Sequence, residues 1–425
     1  MNIFDQLLAD NQIPKFVRVR HEMDHSHIDD IEGAVAQAMR REGTLDRIKP
    51  GDSVCITAGS RDVANIARII RAICDQVKSV GAHPFIIPAM GSHAGAKAEG
   101  QRGIIEGYGV TEEAMGAPIR ASMDTEVIAH SKSGLEIHLD KFANAADFLI
   151  PVGRIKAHTD FHGEVESGIC KMLVIGMGKQ HGAYQCHKLG FKSMAANVKE
   201  FAGAIIEKKP NMFAIGLIEN AYHQTCRIEA IPAGRILEEE PPLLEYAKSR
   251  MAKVPFDQAD ILFVDETGKD ISGAGMDPNV TGRSPVLGIS RPFFQRIAVF
   301  DLTDKSHGNF GGLGSADVTT QRLYRKIDFE QTYPNGITAA EPLAVRLPAV
   351  MPSDRTAMQF ALRTATDCDW EKGPRIVWLK NTLSLSEFYI SEALIPDAEA
   401  LDNVTIVSEP MEVIFDEEGN VKELR

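Results

Sequence analysis

Four histidines and one lysine crowd the segment from His158 to His187, which reads HTDFHGEVESGICKMLVIGMGKQHGAYQCH. Imidazoles carry protons and bind metals near neutral pH, and a lysine among small residues can serve as a covalent attachment point. Lys171 follows the pair Ser167-Gly168, and His187 lies sixteen residues beyond it. Two further side chains stand in small-residue turns. Arg61 follows Gly59-Ser60, and His93 sits in Gly91-Ser92-His93-Ala94-Gly95-Ala96. An arginine opening a helix suits a phosphate or carboxylate, because free N–H groups and the helix dipole add to its bidentate fork. A solvated arginine is the plain alternative. His93 is placed either as a general acid/base or as a cap on the helix that follows.

The elements that must position these groups are legible as a β-α-β unit. Ser53 to Thr57 is a short apolar strand after the turn at Lys49-Pro50-Gly51-Asp52. Val63, Ile66, Ile70, Ile73, Val77 and Val80 then recur at helical spacing until Gly81, and Pro84 to Ala89 forms the next strand. A parallel sheet follows from that order. Asp147 to Val152 is a further buried strand running into the histidine-rich segment. Loops at the carboxyl ends of such strands carry function in open α/β sheets, so Arg61, His93 and His158 are expected on one edge.

Further along, helices are expected over 193–208, 243–251 and 353–364, with strands over 212–219, 261–264, 297–302, 375–379, 404–407 and 412–415. A chain of 425 residues exceeds one ordinary core. The expected fold class is therefore α/β in two domains, each a mainly parallel sheet flanked by helices, with the active site in the cleft between them. The first domain is expected over 1–255 and the second over 256–404, the tail 405–425 returning to the first.

A second glycine-rich loop, Lys269 with ISGAGMDPNVTGR, follows the 261–264 strand and is either a place of close approach to a ligand or a tight turn. The glycines from Gly308 to Gly314 lack the lysine and helix of a phosphate loop. His21, His25 and His27, flanked by acidic residues, read as a solvated face. The histidines of the 158–187 segment are too irregular for a zinc finger. A net charge of −13 argues against nucleic acid or an anionic membrane as partner. Six scattered cysteines without a C-x-x-C pair point to reduced thiols in a cytoplasm.

On these residues the sequence resembles the nickel-dependent lactate racemase family, from Ser53 to His187. The Thr57-to-Arg61 turn is similar to that family's arginine loop near the cofactor phosphate, and Gly91-Ser92-His93 to the loop holding one catalytic histidine. The run from Gly153 through His158, Ser167-Gly168 and Lys171 to His187 resembles its histidine, Ser-Gly, lysine and distal histidine series. The resemblance implies a nickel-pincer nucleotide tethered to Lys171 with His187 as the nickel ligand. Ser60, Arg61, Ser167, Gly168 and Lys269 are placed on the cofactor side.

It also implies racemisation or epimerisation by hydride transfer to and from the cofactor ring. Two histidines serve as acid/base, namely His93 and His158, with His162 competing for the second role. The lysine lies thirteen residues after His158, a longer spacing than in the lactate-acting members. Ala94 and Ala58 replace a usual arginine and aspartate. The substrate expected is a 2-hydroxy acid other than lactate. Two other readings of the same residues are a hydrolase with these histidines on a zinc ion and a non-catalytic binder of a small carboxylate or nucleotide.

Overall fold

The computed structural model describes residues 3–60, 62–188, 190–284, 291–339 and 341–425. The chain divides into two compact units, Asp24–Met251 and Met1–Met23 with Ala252–Arg425.

In the Asp24–Met251 unit the strand Ser53–Ala58 is central. His83–Pro88 and Phe148–Ile150 both pair with it in parallel. Successive residues of these strands face opposite cores. Val54, Ile56 and Ile86 join the helix Ile66–Ser79 on one side, whereas Cys55, Phe85 and Ile87 join Leu173 and Phe201 on the other. Both faces are thus covered, which is why the strands read as apolar runs. The helix buries Ile66, Ile69, Ile70, Ile73 and Val77 and stops before Gly81, whose φ is 82°.

The expected strand 147–152 is broken at Pro151, which has no N–H to donate to a ladder. Val152–Arg154 instead pairs in parallel with Phe213–Glu219, itself antiparallel to Thr225–Pro232. A hairpin of Thr125–His130 and Glu136–Asp140 packs with the helix Lys179–His187.

The other unit holds an eight-stranded sheet. Five strands are parallel in the order Ala349–Met351, Val318–Thr320, Phe293–Leu302, Gln258–Thr267, Ile376–Leu379. Three antiparallel strands extend it: Glu387–Ser391, then Phe16–His21, then Val404–Ile406. This differs from the expected division in two respects. The first 23 residues belong with the C-terminal half, and so does the tail, which was expected to return to the first domain. The N–H of Phe16 donates to Met411 O at 2.9 Å, and Val413, Phe415, Val421 and Leu424 pack on the core that contains Phe16 and Trp378. His21 is accordingly buried in a strand, not on a solvated face.

All six cysteines are free thiols. No helix among the described residues is long and apolar enough to cross a membrane.

Candidate functional site

The strand ends of the Asp24–Met251 unit bring two of the expected loops together. Ser60 Oγ lies 2.5 Å from His93 Nδ1. The Tyr108 hydroxyl donates to Ser60 O at 2.7 Å, and the buried Gln101 amide donates to Gly91 O at 2.8 Å and His93 O at 3.3 Å. Ala94 and Ala96 take a φ of 54°, a left-handed conformation that costs an alanine energy. Such strain persists where surrounding contacts impose it, and it clusters at functional sites. Arg61 lies outside the described residues.

The loop after Val152–Arg154 is fastened at both ends. Lys156 N–H donates to Ser167 O at 3.0 Å. At Gly168 an added Cβ would stand 1.9 Å from Glu240 Oε1. Glu240 is buried, accepts from the Cys170 N–H at 2.8 Å, and burial pushes its carboxyl up from the ordinary carboxylate range. Gly168 therefore seats the short helix Ile169–Lys171 against a buried carboxyl group, and this is the work the structure shows for it.

A π-helical turn, Met172–Gly176, separates Lys171 from the helix Lys179–His187. Turns of this kind are rare and frequent at functional sites. An added Cβ at Gly176 would meet Ala89 O at 3.0 Å and Met172 Sδ at 2.6 Å. The π turn can thus lie directly against the end of the strand that leads to His93. Lys179, fully buried at φ 55°, reinforces the contact. Its ammonium donates to Pro88 O and pairs with Asp140 at 3.2 Å, while Asp140 also accepts from the Phe142 N–H at 2.8 Å. Burial lowers the Lys179 amine and raises the Asp140 carboxyl, each opposed by the other's charge.

His187 donates Nδ1–H to Ala183 O at 2.6 Å. Burial lowers its pKa, the Ala183 bond opposes that, and the charge of Lys171 lowers it further. The ring is therefore held neutral with its Nε2 lone pair available, which is the form that ligates a metal. The Lys171 amine meets His158 Nε2. His158 Nδ1 accepts from the Asp160 N–H at 2.9 Å, and its ring stacks on Phe161 with centroids 4.1 Å apart. His162 Nδ1 lies 3.0 Å from Glu166 Oε2. His181 stands apart, near Thr125 and His138 of the hairpin.

Among the described residues no group of three or more His, Cys, Asp or Glu side chains is arranged to hold a metal ion. A directly bound zinc of the hydrolase kind would need three such ligands, whereas a metal already held by an organic group would need only His187.

In the other unit Lys269 donates from Nζ to Gly273 O at 2.6 Å. An added Cβ at Gly275 would stand 2.8 Å from Gly311 O, and one at Gly312 would stand 1.6 Å from Ala274 O. The two glycine runs of that unit thus close upon each other.

Sequence reasoning missed Glu240, Lys179, Asp140 and the role of Glu166. Glu240, Lys179 and Asp140 have partners remote along the chain, which no local spacing announces, and Glu166 pairs both locally with His162 and remotely with Lys248.

Residues 4–199 match the family described as the lactate racemase N-terminal domain. A comparison with curated proteins gave no match. Among solved structures, the lactate racemase apoprotein from Thermoanaerobacterium thermosaccharolyticum aligns with a TM-score of 0.53 at 17% identity, over 86% of this chain and 94% of that one. The glycosyltransferase SsfS6 from Streptomyces sp. SF2575 aligns at a TM-score of 0.15 and 8% identity, over 73% of this chain and 94% of that one, and carries no argument. The fold is similar to that of the lactate racemase apoprotein, and residues 4–199 are matched by the lactate racemase N-terminal domain family.

Proposed function

We propose that this protein is a racemase or epimerase of a 2-hydroxy acid, working in the cytoplasm with a nickel-pincer nucleotide tethered at Lys171. The observation that carries this reading is the state of His187. Its Nδ1–H is spent on Ala183 O, so one neutral imidazole nitrogen remains for a metal, close enough to Lys171 to feel its charge.

When bound, such a group would supply the hydride acceptor and donor for the substrate carbon. The chain supplies the rest. Lys171 would hold the group covalently, and His187 would supply the protein ligand to nickel. Ser60 and Ser167 are the further residues assigned to the cofactor side. One histidine takes the hydroxyl proton of the substrate as the keto acid forms, and a second histidine gives a proton back on the opposite face. His93, braced by Ser60 and Gln101, is the first. The second comes from the His158–His162 loop. Two histidines serve because the planar keto acid must turn its other face before the hydride returns, which carries its oxygen away from the first imidazole and toward the second.

The test is the intact mass and nickel content of protein purified from a strain that makes the cofactor. An adduct that disappears in Lys171→Ala, together with nickel near one per chain, is the expected result. An unmodified mass without nickel would overturn the reading. Holo protein is then screened for exchange of the carbon-bound hydrogen across 2-hydroxy acids.

A further inference from the structure

We propose that the buried pair Lys179–Asp140 is a positioning pair that fixes the His93 loop against the helix bearing His187, and so holds the acid/base and the metal ligand in one arrangement. What that arrangement does for a reaction rests on the function proposed above. The seam itself is a matter of packing within the Asp24–Met251 unit.

A lysine at position 179 is unfavourable in two ways. It and Asp140 are both fully buried, so two charges are withdrawn from water. Its φ of 55° is a left-handed conformation that glycine adopts without penalty. A glycine would avoid both costs, so the position calls for the ammonium. That ammonium reaches two other elements. It donates to Pro88 O, at the end of the strand His83–Pro88, and pairs with Asp140 Oδ2 at 3.2 Å, at the end of the hairpin strand Glu136–Asp140. Among the described residues Asp140 Oδ2 makes no other polar contact. Oδ1 accepts from the Phe142 and Ala143 N–H groups at 2.8 and 3.1 Å, and the Asp140 N–H donates to Met177 O at 2.8 Å. Strand, hairpin and helix thus meet at one ion pair.

The two functional side chains extend from either side of that point. Beyond Pro88 the Ala89 N–H donates to Ala58 O at 2.7 Å, and Ser60, just past Ala58, meets His93. The Gly91 N–H reaches Gly176 O at 3.4 Å, and an added Cβ at Gly91 would lie 3.8 Å from the Ala183 Cβ. Ala183 O is the acceptor of the His187 Nδ1–H. The His93 loop therefore rests on the residue that orients His187. A long hydrogen bond and van der Waals contact are weak restraints, whereas the ammonium beside them makes charge-assisted bonds. Misplacement of reacting groups by about 1 Å can cost about a hundredfold in rate, so the firmness of this seam bears on turnover.

The test uses the full chain carrying Lys179→Met with Asp140→Asn. Removing both charges together preserves a fold far better than leaving one unpaired, and Asn keeps the acceptor that caps the helix Lys141–Ala145. Without cofactor, the expected result is a denaturation midpoint near that of the wild type, with the amides of 89–93 and 180–187 exchanging at least about tenfold faster. In loaded protein the adduct should persist while kcat falls about a hundredfold with KM little changed. Exchange and turnover both at wild-type level would overturn the proposal. So would a fall in turnover matched by an equal loss of folded protein. Should the double variant not fold, Lys179→Gly is judged by the same criteria, since glycine fits φ 55° and burial, which raises the Asp140 carboxyl, lets it take a proton. Should no 2-hydroxy acid react while exchange quickens as expected, the proposed function fails and the seam stands.

Discussion

The two units each carry glycine-rich loops at strand ends, and the glycines do different work. In the Asp24–Met251 unit, Gly168 and Gly176 make room for a buried carboxyl group and for the end of a neighbouring strand. Lys171, His187 and His162 are left aimed by short, specific contacts. In the other unit, Gly275 and Gly312 let one loop close on another, and the Lys269 amine reaches back to its own loop at Gly273. Glycine density is thus no guide to a site by itself. What separates the two is whether the close approach orients a group that can do chemistry.

The largest effect expected from that difference is at Lys171. Lys171→Ala should abolish any covalent adduct, read by intact mass, whereas Lys269→Ala should leave the adduct in place. An adduct surviving in Lys171→Ala would break the comparison at its centre. His187→Ala comes next, and should keep the adduct while lowering nickel far below one per chain, read by elemental analysis. Loss of both together would mean that His187 acts on folding and not on the metal.

In the other unit the dominant buried charge effect is on stability. Asp265, bonded to the Trp378 indole N–H at 2.6 Å, has its carboxyl pushed up to about 7, chiefly by burial. Because the folded-state pKa is the higher one, the folded state holds the proton better. Its contribution is fully present below about pH 4 and is lost as pH rises through about 7. By linkage this amounts to about 4 kcal/mol as an upper figure. Asp265→Asn should flatten stability between those limits, measured by denaturant unfolding across pH. An unchanged pH profile would show that Asp265 ionises normally.

The smallest pair sharpens the comparison most directly. Gly168→Ala and Gly275→Ala should each cost about 1–3 kcal/mol through overpacking, read as a shift in the denaturation midpoint. Only Gly168→Ala should also reduce adduct formation in cells. Equal loading of the two variants would contradict the role given to Gly168.

Much of the parallel framework was legible because its signal is local. The stripe Ile66, Ile70, Ile73, Val77 and the strands flanking it follow from period and turn residues alone. Pro151 is visible in the sequence, yet the apolar run predicts a strand through it, because such a run outweighs one missing donor until the partners are known. The strand Phe16–His21 alternates buried and exposed residues, but its neighbours are Glu387–Ser391 and Val404–Ile406. Nothing near residue 16 encodes a partner so remote, so the fate of both termini was misjudged for one reason.

At the site, the residue types His93, His158, His162, Lys171 and His187 were readable from the sequence, and so was the resemblance that gives them roles. Side-chain chemistry belongs to the residue itself and needs no fold to be recognised. Only the tertiary structure decided which nitrogen of each imidazole is spent, that Glu166 is buried between His162 and Lys248, and that Gly168 faces Glu240. Those are matters of distance and burial between segments far apart in the chain. Packing sets them, and the local sequence does not.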